Sequence, residues 1–123
     1  MIHYRTIEKV GILRLKQLFN IVRDHLGTIP PVIDARDLQE NPRQTLSLLC
    51  EAVGVEFTDA MLNWPQGNPT DDLWSQYAWY DTVRNSNQFY PDKPNTDTVP
   101  ERFQNLLAQC NEIYQELHQY RLC

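Results

Sequence analysis

One hundred and twenty-three residues, 41% hydrophobic and 22% charged, have the balance of a globular chain, with length for one core and not for two. Eleven Lys and Arg against sixteen Asp and Glu leave a net charge of −5, which argues against a nucleic-acid partner. No apolar run approaches the ~20 residues of a bilayer span, and the first nine residues lack a signal peptide's basic start and apolar stretch. The expectation is a soluble, cytoplasmic protein without membrane partners.

Charge is unevenly spread. Residues 1–54 hold seven basic and six acidic side chains, whereas residues 55–123 hold four and ten. The second part repels phosphates unless local geometry overcomes it, and its plainest reading is a solvated acidic surface. Cys50, Cys110 and Cys123 are odd in number, and none forms the Cys-x-x-Cys pair of a zinc site or redox dithiol. Cys50 and Cys110 fall on apolar helix faces, where a free thiol behaves as a small hydrophobe in a reducing compartment. His3, His25 and His118 share no ligand spacing and read as surface residues. No metal site is expected.

The first predicted helix covers residues 10 to 26. Ile12, Leu15, Leu18, Phe19, Val22 and Leu26 recur at helical spacing, with Arg14, Lys16, Gln17, Asn20, Arg23 and Asp24 on the other face. Gly27 stands at the C-cap, and Pro30-Pro31 forbids continuation. Val32-Ile33-Asp34-Ala35 then reads as one short strand entering a loop. Asn41 caps a helix with Pro42 at its first position and Gln44 reaching back. Its stripe is Leu46, Leu49, Cys50 and Val53, and Gly54 ends it.

Thr58-Asp59 opens a short helical turn through Met61-Leu62. Residues 64 to 72 form a loop by their Pro, Gly and Asn content. Leu73, Trp74, Tyr77, Trp79, Tyr80 and Val83 make an aromatic helix, and a second flexible loop spans about 84 to 97. Thr98-Val-Pro-Glu101 has the pattern of a capping box, opening a helix to about Arg121. That helix, striped by Phe103, Leu106, Leu107, Cys110, Ile113, Tyr114 and Leu117, would be roughly 34 Å long.

The reading is mostly α, about four to five helices by periodicity, with one strand. Residues 53–57 are a poor second, since they contain Gly54 and Glu56. A lone strand needs partners for its N–H and C=O groups, and a strand between amphipathic helices belongs in an α/β sheet. Either the chain dimerises through this strand or it is part of a larger α/β domain.

No autonomous catalytic centre is visible. The four glycines are isolated, no lysine precedes Ser or Thr, and G-x-S-x-G, H-E-x-x-H and G-x-G-x-x-G are absent. Two segments are candidate binding sites. Asp34 and Asp37 follow the strand at its C-terminal end, where open α/β sheets place ligands. They either orient a substrate or act as a base there, or they cap turns and pair with Arg36 or Arg43. The other segment, Trp64 to Tyr80, holds three tryptophans and two tyrosines in seventeen residues. Trp64, Trp74, Trp79 and Tyr80 either line a substrate pocket or belong to a core.

The series Ile33-Asp-Ala-Arg-Asp37-Leu38, the Asn-Pro helix start, Leu46-x-x-Leu49-Cys50 and Gly54-Val-Glu-Phe57 resembles the late segment of P-loop sulfotransferases. Ala60-Met-Leu-Asn-Trp64-Pro65-x-Gly67, then Trp74, Trp79-Tyr80-x-x-Val83 and Ser86, sharpens the likeness. So does the final Tyr114-x-x-Leu117…Tyr120-Arg121-Leu122. Together they resemble the sulfotransferase-like group labelled branched-chain aminotransferase-like, from about Val10 onward.

The resemblance implies that residues 1–123 are a single partial domain, the C-terminal half of an α/β P-loop sulfotransferase-like three-layer domain. That family transfers a sulfuryl group from PAPS to a hydroxyl or amine. The family's phosphosulfate loop, base and 3′-phosphate pair lie upstream of what this chain matches, and the late Arg-Lys-Gly cofactor motif is absent. Hence no catalytic or cofactor-binding residue carries over, and the chain alone is expected to be inactive and to hold no cofactor. Its expected partner is a P-loop-bearing N-terminal half. The alternative is a non-catalytic helical module, a homodimer formed through the strand. A complete small enzyme built on Asp34 or Asp37 lacks a second positioned group.

Overall fold

The computed structural model describes residues 6–67, 81–91 and 93–123. They fall into two compact units, one of residues 6–34 with 93–122 and the other of 35–67 with 81–91. Helices dominate both. Among the described residues no helix is long and apolar enough to cross a membrane.

In the first unit, helix α1 (Gly11–Leu26) follows the predicted period and stops where Gly27 turns left-handed at φ 71°. It packs on helix α5 (Gln104–His118). Phe19 of α1 meets Ile113 and Leu117 of α5 in a small core, flanked by Ile7, Ile12, Leu13, Val32 and Tyr120. Phe19 and Tyr120 are tilted together with centroids 5.3 Å apart.

Only part of the predicted stripe of α1 is covered. Its Leu15, Leu18 and Leu26, together with Ile21 and the following Ile29, are 55–65% exposed. Fully burying such a side chain is worth about 1.5–3 kcal/mol, so five left roughly half in water forgo about 4–8 kcal/mol. That loss is comparable with the ~5–15 kcal/mol stability of an entire domain.

Helix α5 starts later and ends earlier than its sequence pattern suggests. Pro100 stays extended at ψ 147°, so a single 3₁₀ turn (Glu101–Phe103) precedes the α-helix and no side-chain cap bond forms. Thr98 thus lies ahead of the first helical residue, and the expected capping box does not form. Gln104 Nε2 instead donates to the Val99 carbonyl at 2.7 Å. After His118 the chain tightens, with Tyr120 and Arg121 N–H groups bonding three residues back. The 15-residue helix is about 22 Å long.

The expected strand at residues 32–35 is reduced to one bridge. Val32 pairs in parallel with Arg121, and its carbonyl accepts the Leu122 N–H at 2.8 Å. Ala35 already opens the short helix α2 (Ala35–Glu40). β-branched residues favour extended backbone, but a ladder needs neighbours, and the described residues contain only two isolated bridges.

The second unit begins with α2 packed on helix α3 (Pro42–Val53). Pro42 opens α3 as expected, but the Asn41 side chain makes no cap bond. Thr45 and Cys50 are its buried residues, whereas Val53 is 54% exposed. Cys50 Sγ lies 3.9 Å from Met61 Sδ on the 3₁₀ turn Asp59–Met61. Gly54 ends α3 at φ 76°, with nothing within 4 Å of where a Cβ would stand. Replacing it by alanine therefore tests conformation alone. The expected loss is about 1 kcal/mol, read as a lower urea midpoint.

Of the predicted aromatic helix, residues 73–80 lie outside the described residues. Residues Asp81–Arg84 form a single helical turn, α4.

Candidate functional site

Asp34 ends the extended segment, two residues beyond the bridge that fixes Val32 beside Arg121. Its side chain is only 12% exposed. Tyr114 and His118, four residues apart and so on one face of α5, both reach it. The Tyr114 hydroxyl donates to Asp34 Oδ2 in a short hydrogen bond, and His118 Nε2 lies 3.3 Å from the same oxygen. The two rings are tilted together at 5.2 Å.

His118 has a second neighbour. Its Nδ1 is 3.2 Å from an Arg121 guanidinium nitrogen. Guanidinium can only donate, so Nδ1 accepts there and Nε2 carries the proton toward Asp34. The cluster lines a cavity of about 110 Å³ whose remaining walls include Ile12, Leu15, Val32 and Ile33.

This arrangement holds more readily than it reacts. A histidine acting as general base needs a lone pair aimed at a substrate proton, and both nitrogens of His118 are engaged within the protein. Chemically, the cluster is a polar latch that ties residue 34 to α5 beside an apolar cavity. Among the described residues no group of three or more His, Cys, Asp or Glu is placed to hold a metal ion.

Asp37 belongs to the second unit, in the first turn of α2, and its carbonyl accepts the Asn41 N–H at 2.9 Å. Arg43, a suggested partner for the aspartates, instead binds Asp59 at 2.6 Å. Trp64 is half-buried in the second unit and acts as a clamp. Its Nε1 donates to Ser86 Oγ at 3.0 Å, and its ring meets Phe89 edge-on at 5.1 Å. Its N–H also bonds the Asn87 carbonyl at 3.0 Å. Trp74, Trp79 and Tyr80 lie outside the described residues.

Tyr114, His118 and Arg121 were not singled out in the sequence as site residues. Their signal is the i, i+4 spacing of Tyr114 and His118, which the apolar stripe of α5 masks.

Residues 17–119 match the family model described as a sulfotransferase domain. The chain belongs to that sulfotransferase-domain family. It is 33% identical over 114 residues to branched-chain-amino-acid aminotransferase-like protein 2 of Arabidopsis thaliana, covering 92% of this chain and 20% of that protein. Protein 1 of the same name and organism is 35% identical over 111 residues, covering 88% and 20%. The chain thus spans about a fifth of the length of these curated relatives. No solved structure matches it significantly.

Proposed function

We propose that this chain is the C-terminal, mainly helical part of a sulfotransferase domain that moves a sulfuryl group from PAPS to a hydroxyl or amine. The phosphosulfate loop and the base belong to sequence outside it. The observation that carries the reading is the sulfotransferase-domain match across residues 17–119 of a chain that has no phosphate-binding loop.

Four described cations are engaged within the protein: Arg43 pairs with Asp59, Lys16 with Glu116 and Arg84 with Asp81, while Arg121 faces His118. In this reading no transfer step is assigned to the described residues. Their part is scaffold: Asp34 held by α5, and Trp64 pinning residues 86–89.

The test joins the chain to a candidate remainder. In a chimera, residues 1–123 replace the matched stretch of Arabidopsis protein 2, and sulfuryl transfer from radiolabelled PAPS is followed against a panel of phenols and amines. The reading expects label transfer by the chimera and none by the chain alone. Transfer by the chain alone, or a folded chimera that never transfers, would overturn it.

A second reading rests on the exposed apolar residues of α1: a non-catalytic module that self-associates. Light scattering across a concentration series distinguishes it, because only this reading expects a dimer of the isolated chain.

A further inference from the structure

We propose that His118 is a proton-operated switch in the latch on Asp34: a second proton on its ring breaks the contact with Arg121 and tightens the tie to Asp34. The geometry of the first unit carries this, whatever reaction the whole domain performs.

The two ring nitrogens of His118 face partners of opposite kind. Nε2 lies 3.3 Å from Asp34 Oδ2, and an ionised carboxylate can only accept. Nδ1 lies 3.2 Å from an Arg121 guanidinium nitrogen, which can only donate. A neutral imidazole with its proton on Nε2 satisfies both at once. An imidazolium carries a proton on each nitrogen, so it turns a donor and a like charge toward Arg121. On the other side its bond to Asp34 becomes charge-assisted at both ends and stronger. Imidazole ordinarily makes this change between pH 5 and 8.

The surroundings leave the balance to these two partners. Asp34 and His118 are only 12% and 28% exposed, so water screens the three groups incompletely. Tyr114, the neighbour on α5, is uncharged and directs its hydroxyl to Asp34. From α1 the cavity receives Ile12 and Leu15, and from the extended segment Val32 and Ile33 besides Asp34. Lys16 of α1 is held by Glu116 at 2.7 Å. Among the described residues no ionisable side chain lines the cavity beyond Asp34, Tyr114, His118 and Arg121.

The sign of the pH effect follows from linkage. A group that favours the imidazolium in the fold adds stability at low pH, and that gain is lost as pH rises. Asp34 acts in this sense, and Arg121 acts against it.

The experiment measures the folding equilibrium constant by urea unfolding at pH 5, above the ordinary aspartate range, and at pH 8. The quantity compared is the ratio of the two constants. Arg121→Gln should raise that ratio by about fivefold, the factor for two unit charges roughly 4 Å apart in a water-like dielectric. Asp34→Asn should lower it by a similar factor. In a His118→Asn background neither substitution should move it. Nitrogen-15 NMR of the unmodified chain at pH 8 should show His118 protonated on Nε2 alone, a readout that requires no variant to fold.

A ring protonated on Nδ1 alone at pH 8 overturns the proposal. So does a ratio that Arg121→Gln leaves unchanged or lowers, or that Asp34→Asn fails to lower. Equal shifts with and without His118 overturn it as well, because the titrating group would then lie elsewhere.

Discussion

Phe19→Ala is expected to destabilise the chain by about 3–5 kcal/mol, the usual loss when a buried aromatic side chain is truncated. Phe19 is 8% exposed and touches most of what holds the first unit together. Its ring lies against Tyr120, and the Arg23 guanidinium stands 5.7 Å above it. Only Ile113 and Leu117 join it as buried residues of that core, so few neighbours can relax into the cavity. Urea unfolding followed by circular dichroism measures the loss. Leu26→Ala on the same helix is the control, because Leu26 is 63% exposed and should cost no more than about 0.5 kcal/mol. Equal losses at the two positions would mean that α1 does not bury the face described.

Asp34→Ala is expected to cost about 2–3 kcal/mol. A hydrogen bond to a charged group is worth about 1.5–3 kcal/mol, and the 12%-exposed Asp34 carboxylate receives both Tyr114 and His118. The figure stays near one such bond, not two, because Tyr114 is 41% exposed and its hydroxyl can turn to water. Tyr114→Phe should cost about 1 kcal/mol by the same reasoning. Combining it with Asp34→Ala should add little, since both remove the same bond. Additive losses in that cycle, measured by urea midpoints, would mean that the two side chains act separately.

Much of the helical fold was legible because its signals are local. The period from Ile12 to Leu26 and the left-handed glycines at 27 and 54 lie within a turn or two of what they determine. Pro42 likewise marks the start of α3 within its own first turn. The burial of Cys50 follows from its place on the α3 stripe.

What was not legible depends on partners distant in sequence. Val32 and Ile33 have strand chemistry, but a strand is a property of neighbours, and only Arg121 arrives. Thr98 and Glu101 have capping-box spacing, yet Pro100 remains extended and moves the helix start past them. His118 is a surface residue by spacing alone. It becomes part of a cluster because Asp34, more than eighty residues earlier in the chain, is carried to the same face of α5. Of the candidate site, Asp34 was therefore visible as an acidic residue after a strand, and its role as an anchor to α5 was not.

The uncovered α1 face and the sulfotransferase-domain match point the same way. An apolar surface whose exposure forgoes several kcal/mol belongs against something, and the proposed reading, in which the chain is one part of a sulfotransferase domain, supplies a partner for it. That reading places the donor site outside the residues described.

Calorimetric titration with adenosine 3′,5′-bisphosphate, the desulfated donor product, tests this most directly. The account predicts no heat of binding to the folded isolated chain at high micromolar protein, and saturable binding to the chimera. Micromolar binding by the isolated chain would contradict it, because the residues described here would then hold the donor themselves.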